Sequence, residues 1–458
     1  MNIVIVKSFI DFRVFVNRLI KLAKHPSLQR IGGETIWVAI GSGGSVLAML
    51  VGVRLLTSVL SPSDYGLLAL AVSISTAVQI SVGLGIGTTA TRFYSIAAES
   101  GGFFEYWKCM RRIYTAVFVL FSAASCLIGL FIAQIGVQHA FLWSGAIFWG
   151  GLLALDTAMD GPQNGARNRK LFCWHHNLFD WVRFPLAYLL IQTLWPSAWG
   201  ALVAFIVASL LTLSSRRYFL RKLERQTKKD STTPKDSSGD FSHRLLNYLY
   251  PVIFIGLFTW IQLFADRWAL MIFGSKEDIG IYFAIYQLSF SPALHLTVFL
   301  MNLTGPVLFG ASGNLSNASR HIKAVKTNHK LAGIMLVGFV LLFLVVRHFN
   351  QQIGTIFLGP LFLSHLDLLP WMLLSGGFYA IGQQLFMTVY MGLDAAKPLY
   401  FRGFIAISAC VAVCLGGMWN GIVGVTFGLL AFSTIFLCGA FLFHWLERHR
   451  VLKSCVYG

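Results

Sequence analysis

The chain has 458 residues, 56% of them hydrophobic and only 12% charged, with a mean hydropathy of +0.69 and a formal net charge of +18. A soluble globule carries roughly 45–50% apolar and about 25% charged residues, so this composition excludes one. Many apolar runs reach the ~20 residues that a helix needs to cross a bilayer, and they lack the period-two alternation of a membrane barrel, so a multi-span α-helical membrane protein follows.

Residues 1–32 come first. Phe9, Phe12, Val16, Leu19 and Ile20 set against Arg13, Lys21 and Lys24 predict a basic amphipathic helix on the membrane surface, with a disordered basic tail as the alternative. No small-x-small cleavage site follows, so the segment does not read as a secretory signal. Twelve spans are predicted next, at 33–58, 64–89, 113–134, 139–159, 171–193, 197–219, 245–273, 279–309, 329–349, 362–391, 399–418 and 421–446. A polar stretch at 220–244, with the composition of a flexible basic linker, separates six spans in 33–219 from six in 245–446, and a tail covers 447–458. Six is even, so both halves enter the membrane from one side. The fold class expected is therefore all-α integral membrane, two six-helix lobes related by a pseudo-two-fold axis along the membrane normal.

Charge tests the count. With the N-terminus cytoplasmic, 31 of the 36 lysines and arginines fall in inside segments, and the outside loops keep only Lys276 and Arg347. That bias predicts cytoplasmic termini and linker. It also reads the net charge as topology, with no nucleic-acid partner.

The corner between the first two spans, Arg54 through Ser61-Pro62-Ser63-Asp64-Tyr65-Gly66, has an echo at Asp266-Arg267 through Ser275-Lys276-Glu277-Asp278-Ile279-Gly280. Arg54 to Gly66 is 12 positions and Arg267 to Gly280 is 13, as a duplicated half would give. Ser63 or Asp64 is placed to cap the second span.

No catalytic constellation, metal site or cofactor is expected. The seven cysteines form no CxxC pair, Cys410 and Cys414 share a helix face without further ligands, and His175 and His176 are adjacent and so diverge on a helix. Ionisable groups inside spans are costly and tend to face cavities or each other. Asp180 and Arg183, three apart, are expected to pair. Asp266 and Arg267, being adjacent, are expected to point apart, one of them meeting another helix. Asp156 and Asp160 read as boundary residues. Arg54 either snorkels or faces inward. If Arg54, Arg183 and Arg267 line a central cavity, its guanidinium groups suit a phosphate or pyrophosphate. Gln79, Gln262, Gln287 and Asn302, with Gln383 and Gln384, either line that cavity or hydrogen-bond between helices. Gly41, Gly43 and Gly44 indicate close helix packing, with a hinge as the alternative.

The Ser-Pro-x-Asp-Tyr-Gly corner, the run Gly83-Leu84-Gly85-Ile86-Gly87-Thr88-Thr89-Ala90-Thr91-Arg92-Phe93, and Asp266-Arg267 with Ile279-Gly280-Ile281-Tyr282 resemble the polysaccharide-transporter (lipopolysaccharide or O-antigen flippase) family of the MOP exporter superfamily. The resemblance implies two lobes that alternate access around a cationic cavity and carry a polyprenyl-(pyro)phosphate-linked oligosaccharide across a bacterial inner membrane. It implies membrane lipids as surroundings, and a glycan polymerase and glycosyltransferases as pathway partners. Two alternatives stay open. A cation-coupled drug exporter of the same superfamily favours a carboxylate within a lobe, and the first span has only Glu34 at its edge. A membrane glycan polymerase or ligase favours a large outer loop carrying arginines.

Overall fold

The computed structural model describes residues 26–134, 136–229, 238–312, 318–391 and 396–457, and among them every regular element is a helix. The expected surface helix within 1–25 lies outside the described residues. The first half holds α1 (Pro26–Val59), α2 (Pro62–Ser100), α3 (Phe103–Ala133), α4 (Val137–Gly165), α5 (Arg169–Thr193) and α6 (Ala198–Lys229). The second holds α7 (Ser238–Phe273), α8 (Lys276–Leu288), α9 (Phe290–Ser312), α10 (Ala318–Phe357), α11 (Leu369–Met391) and α12 (Ala396–Tyr457).

Nine stretches of the described residues are long and apolar enough to cross a bilayer. The twelve expected spans map onto the helices nonetheless. Arg169, Lys170, Asp180 and Arg183 dilute α5, and Gln383 and Gln384 dilute α11. The stretch Leu399–Phe443 counts once, yet it folds back on itself. Its helical dihedrals break at Asn420 and at Gly421, whose φ of 46° lies in the region open to glycine. Gly416 and Gly424 then meet backbone to backbone, and Gly428 lies against Ala412, as the two antiparallel arms of a hairpin require. Ser289 separates α8 from α9 within the eighth expected span.

Each lobe packs around a central helix. In the first, α4 lies against α2, α3 and α6, and α5 against α1 and α6; in the second, α11 contacts α9, α10 and α12, and α12 covers α7. Glycines bring α1 onto α5 as close packing requires: a Cβ at Gly41 would press on Cys173 and one at Gly44 on Asn177, whereas Gly43 faces open space. The described cysteines are free thiols.

Helix ends define two faces. On the linker face the start of α3 meets the end of α6, where the Trp107 Nε1 donates to Thr227 Oγ1 at 2.9 Å. On the same face Lys170 stands 5.2 Å from the Trp37 ring centroid, and the Phe93 and Phe241 rings lie 5.5 Å apart. Those contacts extend the helices into the expected linker. Leu220 and Leu223 pack on the cluster around Phe103, Tyr106 and Trp107, and Lys228 pairs with Glu224 at 2.7 Å. Helix α6 therefore runs to Lys229 and α7 begins at Ser238, so the described part of the 220–244 stretch is helical, and 230–237 lies outside the described residues. The tail from 447 likewise continues α12 to Tyr457.

The lobes meet where α2 lies along α7 and α8. A π turn at Gln79–Gly83 interrupts α2, and Gly256 of α7 sits against the Ile80 carbonyl there. Trp260 Nε1 donates to the Ser73 carbonyl at 2.8 Å and Trp268 Nε1 to Ser73 Oγ at 3.0 Å.

Candidate functional site: the seam between the lobes

The two corners that echo each other in sequence face each other in space. Ser61, rather than the expected Ser63 or Asp64, caps α2: its Oγ accepts from Asp64 N at 3.1 Å, and Ser275 Oγ accepts from Asp278 N at 3.1 Å, so each corner is an N-cap built from Ser, Asp three later and Gly five later. Gly66 packs on the Lys276 carbonyl and Gly280 on the Pro62 carbonyl, a reciprocal pairing with no room for a Cβ on either side. Beneath it the buried Tyr65 ring lies 5.3 Å from Phe283 and 5.5 Å from Phe362. The corner face of the seam is shut.

The three singled-out arginines sit around this closure, each already engaged. Arg54 is exposed and reaches across the seam, its Nη1 donating to the Leu358 carbonyl and approaching the Thr355 carbonyl at 3.4 Å. It neither snorkels nor lines a cavity: it holds carbonyls at the C-terminus of α10, where a cation suits the helix dipole. Beside it Gly359 N donates to Thr57 Oγ1 at 2.9 Å. Arg267 is 1% exposed. Contrary to the adjacency argument, it pairs with Asp266 itself, at 3.2 Å, because the long side chain turns back to donate also to the Leu263 carbonyl at 3.0 Å. Asp266 additionally accepts from Tyr282 at 2.7 Å, and Phe264, Phe283 and Tyr286 surround the guanidinium at 4.4–4.9 Å. Arg183 pairs with Asp180 at 2.9 Å and stacks on Phe179, Phe184 and Phe205. Arg183 and Arg267, one from each lobe, both lie within electrostatic reach of Tyr65.

From Arg183 one face of α5 leads back toward the linker face. Arg169, His176 and Arg183 recur every seven residues, two helical turns, and so share a stripe. The stripe opens on a cavity of about 280 Å³ between the lobes, lined by Ser42 and Ser45 of α1, Arg169 and His176 of α5, and Leu294 and His295 of α9. His295 lies within electrostatic reach of His176, Asp180 and Arg183. Ser45 Oγ is buried with no hydrogen-bond partner among the described residues, and Arg169 Nη1 donates to Asn164 at 2.8 Å. His175 points away, as its neighbour's place on the stripe demands, with Nε2 3.2 Å from Ser215 Oγ.

The amide candidates divide. Gln79 donates to Thr157 at 3.2 Å, inside the first lobe. Gln262 is buried in the second lobe, donating to the Arg402 carbonyl at 3.0 Å and accepting from Arg402 Nη1 at 3.3 Å, while Arg402 Nη2 donates to Gln383 at 2.6 Å. Gln384 donates to Asn328 at 2.7 Å. Gln287 is half-buried on α8, and the Asn302 side chain on α9 lies outside the described side chains. The first lobe also encloses a charge cluster that the boundary reading overlooked. Fully buried Arg216 of α6 pairs with Asp160 and donates from Nη2 to Asp156 at 3.1 Å, so these carboxylates are interior. Arg216 and Arg402 fall within the predicted spans 197–219 and 399–418, near their linker-face ends, and so count among the inside charges when topology is read from charge alone. The seven-residue spacing from Arg169 was the signal available for the stripe.

A family model described as polysaccharide biosynthesis protein matches residues 31–312, more than half of the chain. The chain belongs to that family. No curated protein sequence matches it. Solved structures similar to this family member cover nearly its whole length. An inward-facing multidrug resistance MATE family transporter of the MOP superfamily gives a TM-score of 0.65 at 16% identity, covering 90% of this chain and 96% of that one. A MOP superfamily transporter from Pyrococcus furiosus Vc1, described for the reverse polarity of its binding pocket, gives 0.63 at 16%, covering 94% and 98%. A MATE transporter from Vibrio cholerae in the bent form gives 0.56 at 17%, covering 92% and 98%. The chain thus joins the polysaccharide biosynthesis family to the fold of solved MOP superfamily transporters, and its long apolar helices are those of a multi-pass membrane protein.

Proposed function

We propose that this protein is a flippase that moves a polyprenyl-(pyro)phosphate-linked oligosaccharide between leaflets of a bacterial inner membrane for surface-polysaccharide assembly. The observation that carries the reading is the α5 stripe. Arg169, His176 and Arg183 run from the linker face to the closed corner, joined by His295 from the other lobe, and only Arg183 among them holds a carboxylate among the described residues. Guanidinium groups with imidazole hydrogen-bond donors between them in a partly desolvated cleft suit a phosphate or pyrophosphate, and successive donors let the head group advance from one arginine to the next. The basic linker face is cytoplasmic in this scheme, in keeping with the charge bias. The protein acts as a carrier; glycosyltransferases supply its cargo and a polymerase receives it.

A second reading, cation-coupled drug export, draws on Asp156 and Asp160, the interior carboxylates of the first lobe. Arg216 already neutralises much of their charge, which weakens it.

Reconstituted vesicles bearing a fluorescent lipid-linked oligosaccharide on one leaflet test the proposal. Wild-type protein should translocate the probe, and Arg169→Gln and Arg183→Gln should each slow translocation about tenfold or more, the loss of one charge-assisted contact of ~1.5–3 kcal/mol. Absence of translocation, together with efflux of a cationic dye driven by an ion gradient, would overturn it.

A further inference from the structure

Helices α3 and α6 both rest on α4 and touch each other chiefly at their linker-face ends, which leaves a groove on the outer surface of the first lobe. Its volume is about 690 Å³. The walls are Tyr114, Thr115 and Phe118 of α3 with Leu210, Leu213 and Ser214 of α6; the floor is Leu152, Leu155 and Met159 of α4. Phe118 and Leu210 are exposed, so the open side looks outward from the lobe into lipid. At its linker-face end the groove is closed by Arg111, Arg217 and Arg221, with Glu224 beside them.

Length and charge both point to one kind of occupant. From Leu210 to Arg221 a helix rises about 16 Å, which is half of a ~30 Å hydrocarbon core and so the depth of a single leaflet. Glu224 is shared, 3.6 Å from Arg111 and 2.7 Å from Lys228, while Arg217 and Arg221 are exposed and form no ion pair among the described residues. An apolar trough one leaflet deep beneath unpaired guanidinium groups matches acyl chains below a phosphate, since basic pockets between membrane helices on this side hold anionic head groups. We infer that the groove is a binding site for an anionic phospholipid of the linker-face leaflet. The occupant is a resident lipid rather than the cargo: all lining residues belong to α3, α4 and α6, whereas the cavity between the lobes is lined from α1, α5 and α9 with Asn164 at the end of α4, and the two share no lining residue. The groove does not open onto the seam that a carried molecule must enter. A lipid there braces α3 against α6, which otherwise share few contacts.

Native mass spectrometry of the purified full chain, offered equal amounts of phosphatidylglycerol and phosphatidylcholine, reads this without any transport assay. Wild-type protein should retain phosphatidylglycerol in preference, by about fivefold for each free arginine. The double variant Arg217→Gln/Arg221→Gln should lose the preference, and Leu213→Trp, which fills the trough with all charges intact, should lose the bound lipid. Melting in lipid-free detergent within a few degrees of wild type shows that both variants fold. Equal retention of the two lipids by wild type, unaltered retention by both variants, or displacement of phosphatidylglycerol by an equal amount of polyprenyl phosphate would each overturn the inference.

Discussion

The two ends of the seam are closed by different means. At the corner face, backbone meets backbone through Gly66 and Gly280, reciprocal and without a side chain between them. At the linker face the lobes touch through longer groups, Arg92 over Tyr248 at 5.0 Å and Phe93 against Phe241, and beside these lies the cavity holding Arg169, His176 and His295. A glycine contact is either made or absent, because there is no flexible side chain to bridge a gap. Side-chain contacts yield by degrees. The difference suits the corner to a two-state latch and the linker end to a mouth that admits ligands of various size.

Breaking the comparison starts beneath the latch. Arg267→Ala leaves Asp266 buried without its cation and should cost about 3–5 kcal/mol, seen as a lower melting temperature and reduced abundance. The double change Asp266→Asn/Arg267→Met should recover most of that loss, since an apolar replacement of a buried pair is often neutral. If the single and double variants melt alike, the pair is not what supports the corner. Next in size is Gly66→Val, which overpacks the latch by about 1–3 kcal/mol and shifts the protein toward states with the corner open. In a background with the native cysteines replaced, a cysteine at Ser63 should then react about tenfold faster with a membrane-impermeant maleimide, tenfold being ~1.4 kcal/mol; an unchanged rate would show that the latch tolerates a side chain. The smallest effect belongs to Arg54→Gln. Its contact is exposed, so about 1 kcal/mol is expected, visible as a modest rise in the same labelling rate with abundance unaltered.

The helices and the corner were legible in sequence for local reasons. Apolar run length reports crossings, and the serine and aspartate of each cap act within four residues, so Ser61–Gly66 and Ser275–Gly280 could be matched before their contact was known. Side-chain direction was harder. Adjacent residues on a helix diverge at Cβ, but an arginine is long enough to fold back onto the preceding carboxylate, as Arg267 does. The α5 stripe was missed because Arg169 falls at the end of a helix and counts as a loop charge when spans are drawn by hydropathy alone. The cluster of Asp156, Asp160 and Arg216 was hidden likewise: helix α6 continues past the apolar stretch, and its packing on Phe103 and Trp107 depends on residues more than a hundred positions away.

The π turn at Gln79–Gly83 takes up a residue that would otherwise change the rotational phase of everything between it and the corner. A π turn accommodates one residue more than an α-helix would use, and each residue of an α-helix turns the chain by about 100°. Deleting a single residue within Gln79–Gly83 would therefore let α2 close into uninterrupted α-helix with Pro62–Val78 and Leu84–Ser100 close to their present relative phase, so that Gly66 still meets Gly280. Deleting one between Gly66 and Ser73 instead would turn Gly66 by about 100° relative to Ser73, so that the Gly280 contact and the hydrogen bonds from Trp260 and Trp268 could not both be kept, while the composition and hydropathy of the span stayed nearly the same. One extra residue in the middle of the helix is thus slack that the π turn takes up, and the seam should tolerate its loss far better than a deletion nearer the corner.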